Sequence, residues 1–142
     1  ILLYLAHKTG KLAPPADSPA YFRMLQWLLW QEAHFSPTLG QALHFLKFNP
    51  GKSVYAEKRF YQEALRLYRV LNSRLEGRSY IADEFSIVDI ATWPCASRFD
   101  YHQIDLHDFP EVLRRNLDLS DRPAYQRGYR VPDDNWRIPR PA

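Results

Sequence analysis

Few residues of this chain have the type and spacing to do chemistry. There is one cysteine, Cys95. A cysteine attacks as its thiolate, which needs a helix N-terminus or a neighbouring cation to form at neutral pH. Cys95 follows Trp93-Pro94 inside a helical pattern, away from any helix start, so it reads as a buried structural thiol. The five histidines show no HExxH or paired ligand spacing, which argues against a metal site. No Gly-rich phosphate loop and no Ser-His-Asp pattern is visible. Asp89 stands three residues after Ser86 ahead of apolar Ile90 and Ala91, the arrangement of a capping box, and that explains it better than catalysis does. What remains is a basic run, Lys58, Arg59, Arg66, Arg69 and Arg74. An arginine fork matches a carboxylate with two parallel hydrogen bonds. By composition alone the run is the solvated face of a helix.

The elements that position these residues read as helices throughout. Residues 1–9 form an apolar helix end, closed by Gly10 in the left-handed conformation that glycine adopts freely. This helix would expose an apolar face if nothing covered it. Lys11–Ala16, with Pro14-Pro15, is an extended connector and the clearest domain boundary. Asp17 or Ser18 caps a long helix with Pro19 in its first turn. Its apolar stripe is Tyr21, Leu25, Leu28, Phe35, Leu39, Ala42 and Leu46. Met24–Trp30 is apolar at nearly every position and predicts burial on several sides. Pro37 predicts a kink or break. After the Asn49-Pro50-Gly51 turn, Ser53 caps a helix with the stripe Tyr61, Ala64, Tyr68, Leu71 and Leu75, ended by Gly77. The helix of the capping box runs toward Tyr101, bent at Pro94. Asp108 caps a fifth helix with Pro110 in its first turn, and Asp121 opens a shorter one through Tyr129. Residues 132–142 form an irregular tail. The fold class is all-α, a helical bundle.

Length and composition are those of one globular domain of 142 residues. A net charge of +3 is too small to point to nucleic acid. The opening apolar run ends at Lys8, too short for a membrane span and without the basic start of a signal peptide. A single cysteine permits no internal disulfide and fits a reducing, cytoplasmic location. The chain opens within a helix, so it reads as part of something larger.

Several of these stretches resemble glutathione transferases. Ile1-Leu2-Leu3-Tyr4-Leu5-Ala6-His7-Lys8-Thr9-Gly10 resembles the last helix of their thioredoxin-like domain. Leu25-Gln26-Trp27-Leu28 with Pro37-Thr38-Leu39-Gly40-Gln41 resembles the first long helix of their C-terminal domain, closest to the bacterial Nu class of glutathione-dependent disulfide reductases. Ser86–Pro94 resembles the capping-box helix of the superfamily, and Arg122-Pro123-Ala124 its last core helix. The resemblance implies residues 1–10 as the end of a truncated thioredoxin-like domain, 11–17 as a linker, 18–131 as the C-terminal helical domain and 132–142 as a tail. It implies glutathione as substrate, no metal, a homodimer, and no nucleic-acid or membrane partner. Thiolate stabilisation would fall to the absent thioredoxin-like domain, so this chain alone would be inactive.

In the Nu class an arginine of the helix after the Pro-Gly turn reaches a glutathione bound in the partner subunit, and Arg59 falls on it. His34, Phe35 and Leu39 become candidates for the acceptor-pocket wall, although Phe35 and Leu39 at helical spacing also suit plain core packing. The Nu class often carries small glycine-rich residues where this chain has Ala33-His34-Phe35-Ser36, which puts the substrate preference in doubt. A rival expectation is a non-catalytic interaction module, since related helical domains mediate protein contacts elsewhere.

Overall fold

A computed structural model describes residues 1–141. Helix α1 spans Leu2–Thr9 and ends where expected, with Gly10 at φ 64°. Among its residues Ala6 is buried, while Tyr4 and Leu5 are exposed. The connector then folds back: the Leu12 carbonyl accepts the Ile87 N–H at 2.9 Å, fastening the linker to the start of a later helix.

Ser18 rather than Asp17 caps α2 (Pro19–Trp30), its hydroxyl accepting from the Tyr21 N–H. The α-helical hydrogen bonding is interrupted just ahead of Pro37. A π-helical turn over Gln31–Phe35 leads directly into α3 (Ser36–Leu43), with Pro37 in the first turn of α3. The wider turn changes the hydrogen-bond register just ahead of the residue that cannot donate. A second π turn, His44–Phe48, closes α3. Burial on several sides does not hold for 24–30. Met24 and Leu28 are buried, but Leu29 is 58% exposed.

Helix α4 (Val54–Leu75) is the central element, capped by the Ser53 hydroxyl on the Ala56 N–H. Ala64, Leu67, Tyr68, Leu71 and Leu75 are fully buried on α4, which packs against both α3 and α6. Each large aliphatic side chain buried this way contributes about 1.5–3 kcal/mol. Tyr68 holds the middle, packed between Phe35 and Phe109, its hydroxyl donating to the Ala96 carbonyl at 3.2 Å or to His102 Nδ1 at 3.3 Å.

Helix α5 (Ile87–Ala96) begins with the expected capping box, the Ser86 N–H donating to Asp89 Oδ2 at 3.0 Å. It stops at Ala96 instead of continuing toward Tyr101, which lies in a 3₁₀ turn, Phe99–His102. Pro94 accounts for the short helix only in part, since the following Ser97 N–H still bonds the Trp93 carbonyl. Helix α6 (Pro110–Ser120) is not capped by Asp108. Asn72 of α4 supplies the cap from across the bundle, its Oδ1 accepting from the Glu111 and Val112 N–H groups at 3.0 and 3.3 Å. Asp121 likewise ends α6 and does not open α7 (Pro123–Tyr129). Beyond Tyr129 the described tail has no helix, and Arg140 pairs with Asp121. Among the described residues no strand forms, and no helix is long and apolar enough to cross a membrane.

Candidate functional site

The turn before α4 sets out the first candidate surface. Gly51 turns the chain at φ 81°, and its N–H donates to Glu57 Oε1 at 2.7 Å, tying the turn to the first coil of α4. Phe60 stacks flat on Phe45 with ring centroids 5.6 Å apart, which locks α4 against the second π turn. On this frame Arg59 points outward. Its guanidinium makes one long hydrogen bond, Nη1 to the Tyr55 hydroxyl at 3.4 Å, lies loosely over the Phe60 ring with its carbon 6.0 Å from the centroid, and makes no ion pair among the described residues. Its contact partner Tyr55 is 73% exposed, and Phe48 and Val54, on either side of the turn before α4, are 66% and 77% exposed. An unpaired fork within exposed apolar side chains is a surface with unused binding capacity.

The rest of the basic run differs. Arg66 is engaged by Glu63 at 2.9 Å. Arg74 does not lie on a solvated face: it donates to the Ile81 carbonyl at 2.7 Å, lies over the Trp27 ring and reaches Asp83. It therefore pins the loop before α5 to α4.

The three acceptor-wall candidates separate. His34 is exposed on the first π turn. Phe35 and Leu39 are 0% and 1% exposed, Phe35 lying between Trp30 and Tyr68. The latter two fill the core and front no open cavity. Their helical spacing carried both meanings, and both pack inward, Phe35 against Tyr68 of α4.

Cys95 lies in a small polar knot with Ser36 and Gln31. Its Sγ is 3.0 Å from Ser36 Oγ. Gln31 donates from Nε2 to Ser36 Oγ and, at 3.2 Å, to the Ala91 carbonyl. Burial pushes the thiol pKa up, and the Ser36 hydrogen bond offsets this only in part. The residue is a held, neutral thiol. No group of three His, Cys, Asp or Glu among the described residues could hold a metal ion.

Two buried polar arrangements escaped the sequence reading. Arg115, 1% exposed, donates to Asp89 Oδ1 from Nε at 3.1 Å and Nη2 at 2.8 Å. The same carboxylate accepts from the Ile81 and Ser86 N–H groups, so one side chain caps α5, fastens the preceding loop and neutralises α6. His102 is 2% exposed against Tyr68, and burial, with Arg98 nearby, lowers it to about 4.

A second surface feature is a cavity of about 580 Å³ between α5, α7 and the tail. Ile90, Trp93, Tyr125, Tyr129 and Trp136 form much of its wall, and Arg98 and Arg122 are its charged members.

The chain is a glutathione transferase C-terminal helical domain, as its likeness to the following proteins shows. It is 42% identical over 125 residues to the disulfide-bond oxidoreductase YfcG of Escherichia coli, covering 87% of this chain and 58% of that protein. It is 35% identical to the disulfide-bond oxidoreductase YghU of the same organism, over 90% of this chain and 47% of that one. Among solved structures it resembles a glutathione transferase of Burkholderia graminis with two glutathione molecules bound per subunit. That likeness has a TM-score of 0.83 at 35% identity, over 92% of this chain and 57% of the other. No family model matches the chain. The chain spans about half the length of the curated relatives it matches.

Proposed function

We propose that this chain is the helical part of an enzyme that turns the glutathione thiolate on a small disulfide or an electrophilic carbon. The similarity to two disulfide-bond oxidoreductases, at 42% and 35% identity across most of the chain, carries the reading. Residues 1–10 are then the end of a thioredoxin-like domain, 11–17 the linker, 18–131 the helical domain and 132–142 its tail. The thioredoxin-like domain holds the thiolate. Cys95, a neutral thiol, has no part in it.

In the reductase reaction the thiolate attacks one sulfur of the disulfide. A glutathione mixed disulfide forms, the S–S bond breaks, and the departing sulfur leaves with the electron pair and takes a proton. A second glutathione resolves the mixed disulfide to glutathione disulfide. On carbon, the new bond is C–S and the leaving group carries the pair away. Arg59 grips a carboxylate of a glutathione held by the partner subunit of a homodimer, and its free fork supports this. The exposed Phe48, Val54 and Tyr55 gain cover in the dimer. His34 fronts the acceptor, with Phe35 and Leu39 fixing the backbone behind it. A cytoplasmic location supplies the reduced glutathione.

The test is glutathione-dependent reduction of 2-hydroxyethyl disulfide by the intact protein. Arg59→Ala should raise KM for glutathione about tenfold or more, the worth of a charge-assisted hydrogen bond. His34→Ala should alter KM for the disulfide and leave that for glutathione in place. Neither turnover nor glutathione binding in wild type would favour a non-catalytic interaction module instead.

A further inference from the structure

The basic run along α4 ends in a charge imbalance that the glutathione chemistry does not use. Three arginines from separate elements converge on one carboxylate, that of Asp83 in the loop before α5. Arg23 of α2 reaches Oδ2 at 3.5 Å, while Arg74 near the end of α4 and Arg78 in the turn after it reach Oδ1 at 3.3 and 3.4 Å. Among the described residues these arginines pair with no other acidic side chain, so two positive charges are in excess. Arg74 is anchored: its Nε donates to the Ile81 carbonyl at 2.7 Å, and its guanidinium carbon lies 5.2 Å from the centroid of the Trp27 ring. Burial first, then the neighbouring Arg78 and Arg23, lower its pKa against the pull of Asp83. Arg23 and Arg78 are exposed. Arg78 gives Nη1 to the Glu76 carbonyl at 3.2 Å, and both guanidiniums, with five N–H donors each, keep donors for a further ligand.

We infer that the cluster of Arg23, Arg74 and Arg78 around Asp83 is a binding site for a small phosphoryl dianion, either free phosphate or the phosphate of a small monoester. A guanidinium fork matches phosphate oxygens with two parallel hydrogen bonds. All three forks already reach one carboxylate, so an oxyanion of similar size is within reach of them together. Two charges on the ligand match the two in excess. Arg74 is held by Ile81 and Trp27 before any ligand arrives, so less side-chain freedom is lost on binding. The site stands apart from Arg59, since Arg74 lies further along the same helix by about 22 Å at 1.5 Å per residue.

The probe is inorganic phosphate, titrated into the intact protein by calorimetry at pH 8, with chloride holding the ionic strength constant so that general screening cancels. One saturable site of millimolar affinity or better is expected. Arg23→Gln and Arg78→Gln should each weaken it about tenfold, the loss of one charge-assisted hydrogen bond. Asp83→Asn should strengthen it severalfold, because the competing carboxylate is gone. Asparagine also adopts the left-handed φ of 71° found at this position, so the loop keeps its path. A cluster that serves only to fasten the loop predicts no such gain. Formate, a monoanion, should bind about tenfold more weakly than phosphate or worse. Glycerol 3-phosphate binding as tightly as phosphate supports a monoester as occupant, and phosphate binding alone supports the free ion. Circular dichroism of each variant checks that it folds, and Arg23→Gln, which loses one long exposed ion pair, keeps the test open if another variant does not. The proposal is overturned by the absence of saturable phosphate binding in both wild type and Asp83→Asn, by affinity unchanged in both arginine variants, by formate binding as tightly as phosphate, or by weaker binding in a folded Asp83→Asn.

Discussion

Removing the Asp89 carboxylate should be the most damaging polar substitution in the domain. Asp89 is 0% exposed and Arg115 is 1% exposed, so neither group recovers water when its partner is lost. In Asp89→Ala the guanidinium stays buried with only the Asp89 backbone carbonyl, 3.3 Å from Nη2, as acceptor. Leaving one charge of a buried pair uncompensated costs about 3–5 kcal/mol. Two N–H groups, of Ile81 and Ser86, also lose their acceptor, and the cap alone is worth about 1 kcal/mol. The expected loss is therefore about 4–6 kcal/mol, comparable with the whole stability of many domains. Arg115→Met removes the cation but keeps an apolar stem, and should cost about 3 kcal/mol because the carboxylate retains its two backbone donors. In Asp89→Ala with Arg115→Met no buried charge remains, so the double variant should lose about 2–4 kcal/mol less than the sum of the singles. Urea unfolding followed by helical circular dichroism reads all four proteins, each kcal/mol moving the midpoint by roughly 0.3–1 M at ordinary slopes. A loss below about 1.5 kcal/mol in Asp89→Ala, or additivity within about 0.5 kcal/mol, would refute the reasoning.

Other outcomes follow from the same geometry. Asn72→Ala should cost about 1–2 kcal/mol by uncapping α6, while Asp108→Ala should cost less than about 0.5 kcal/mol, and urea midpoints of the two variants check the contrast. His102 has its folded pKa lowered to about 4, below the ordinary value of 6.5, so the unfolded chain takes up the proton first. Its contribution is complete above about pH 6.5 and is lost as pH falls toward 4, by up to about 3 kcal/mol. His102→Gln should flatten stability against pH in that window. Cys95 should react with iodoacetamide at pH 7.5 at least tenfold more slowly than free cysteine, given its raised pKa and cover. Reaction at the rate of a free thiol would place it in a different environment.

Local signals in the sequence were reliable where one residue decides the backbone. Gly10 ended α1, Ser53 opened α4, and Ser86 with Asp89 opened α5, because each satisfies or redirects groups within three residues of itself. Where the partner comes from another element, local reasoning chose the wrong residue. Asp108 has the chemistry of a cap, but Asn72, from α4, takes the place. Arg74 and Arg115 look like surface charges on amphipathic helices. Their burial depends on an Ile81 carbonyl and an Asp89 carboxylate that only tertiary packing brings near. The π turn ahead of Pro37 left no mark in the apolar period strong enough to foresee. Phe35 nonetheless took the core place that its apolar stripe predicted, while His34 remained outside. Arg59 came from the resemblance. Its type and spacing gave a basic face, and neither distinguishes an unpaired fork from Arg66, which Glu63 engages.

The central claim is that Arg59 serves a glutathione-using enzyme, and glutathione binding by calorimetry on the intact protein tests it most directly. Wild type should bind, and Arg59→Ala should lose about 1.5–3 kcal/mol of binding free energy, the range for a hydrogen bond to a charged group. Its stability should stay within about 0.5 kcal/mol of wild type, because the side chain is exposed and its contacts with Tyr55 and the Phe60 ring are long. Equal binding by the two proteins would return Arg59 to the solvated face. No binding by wild type would contradict the account as a whole.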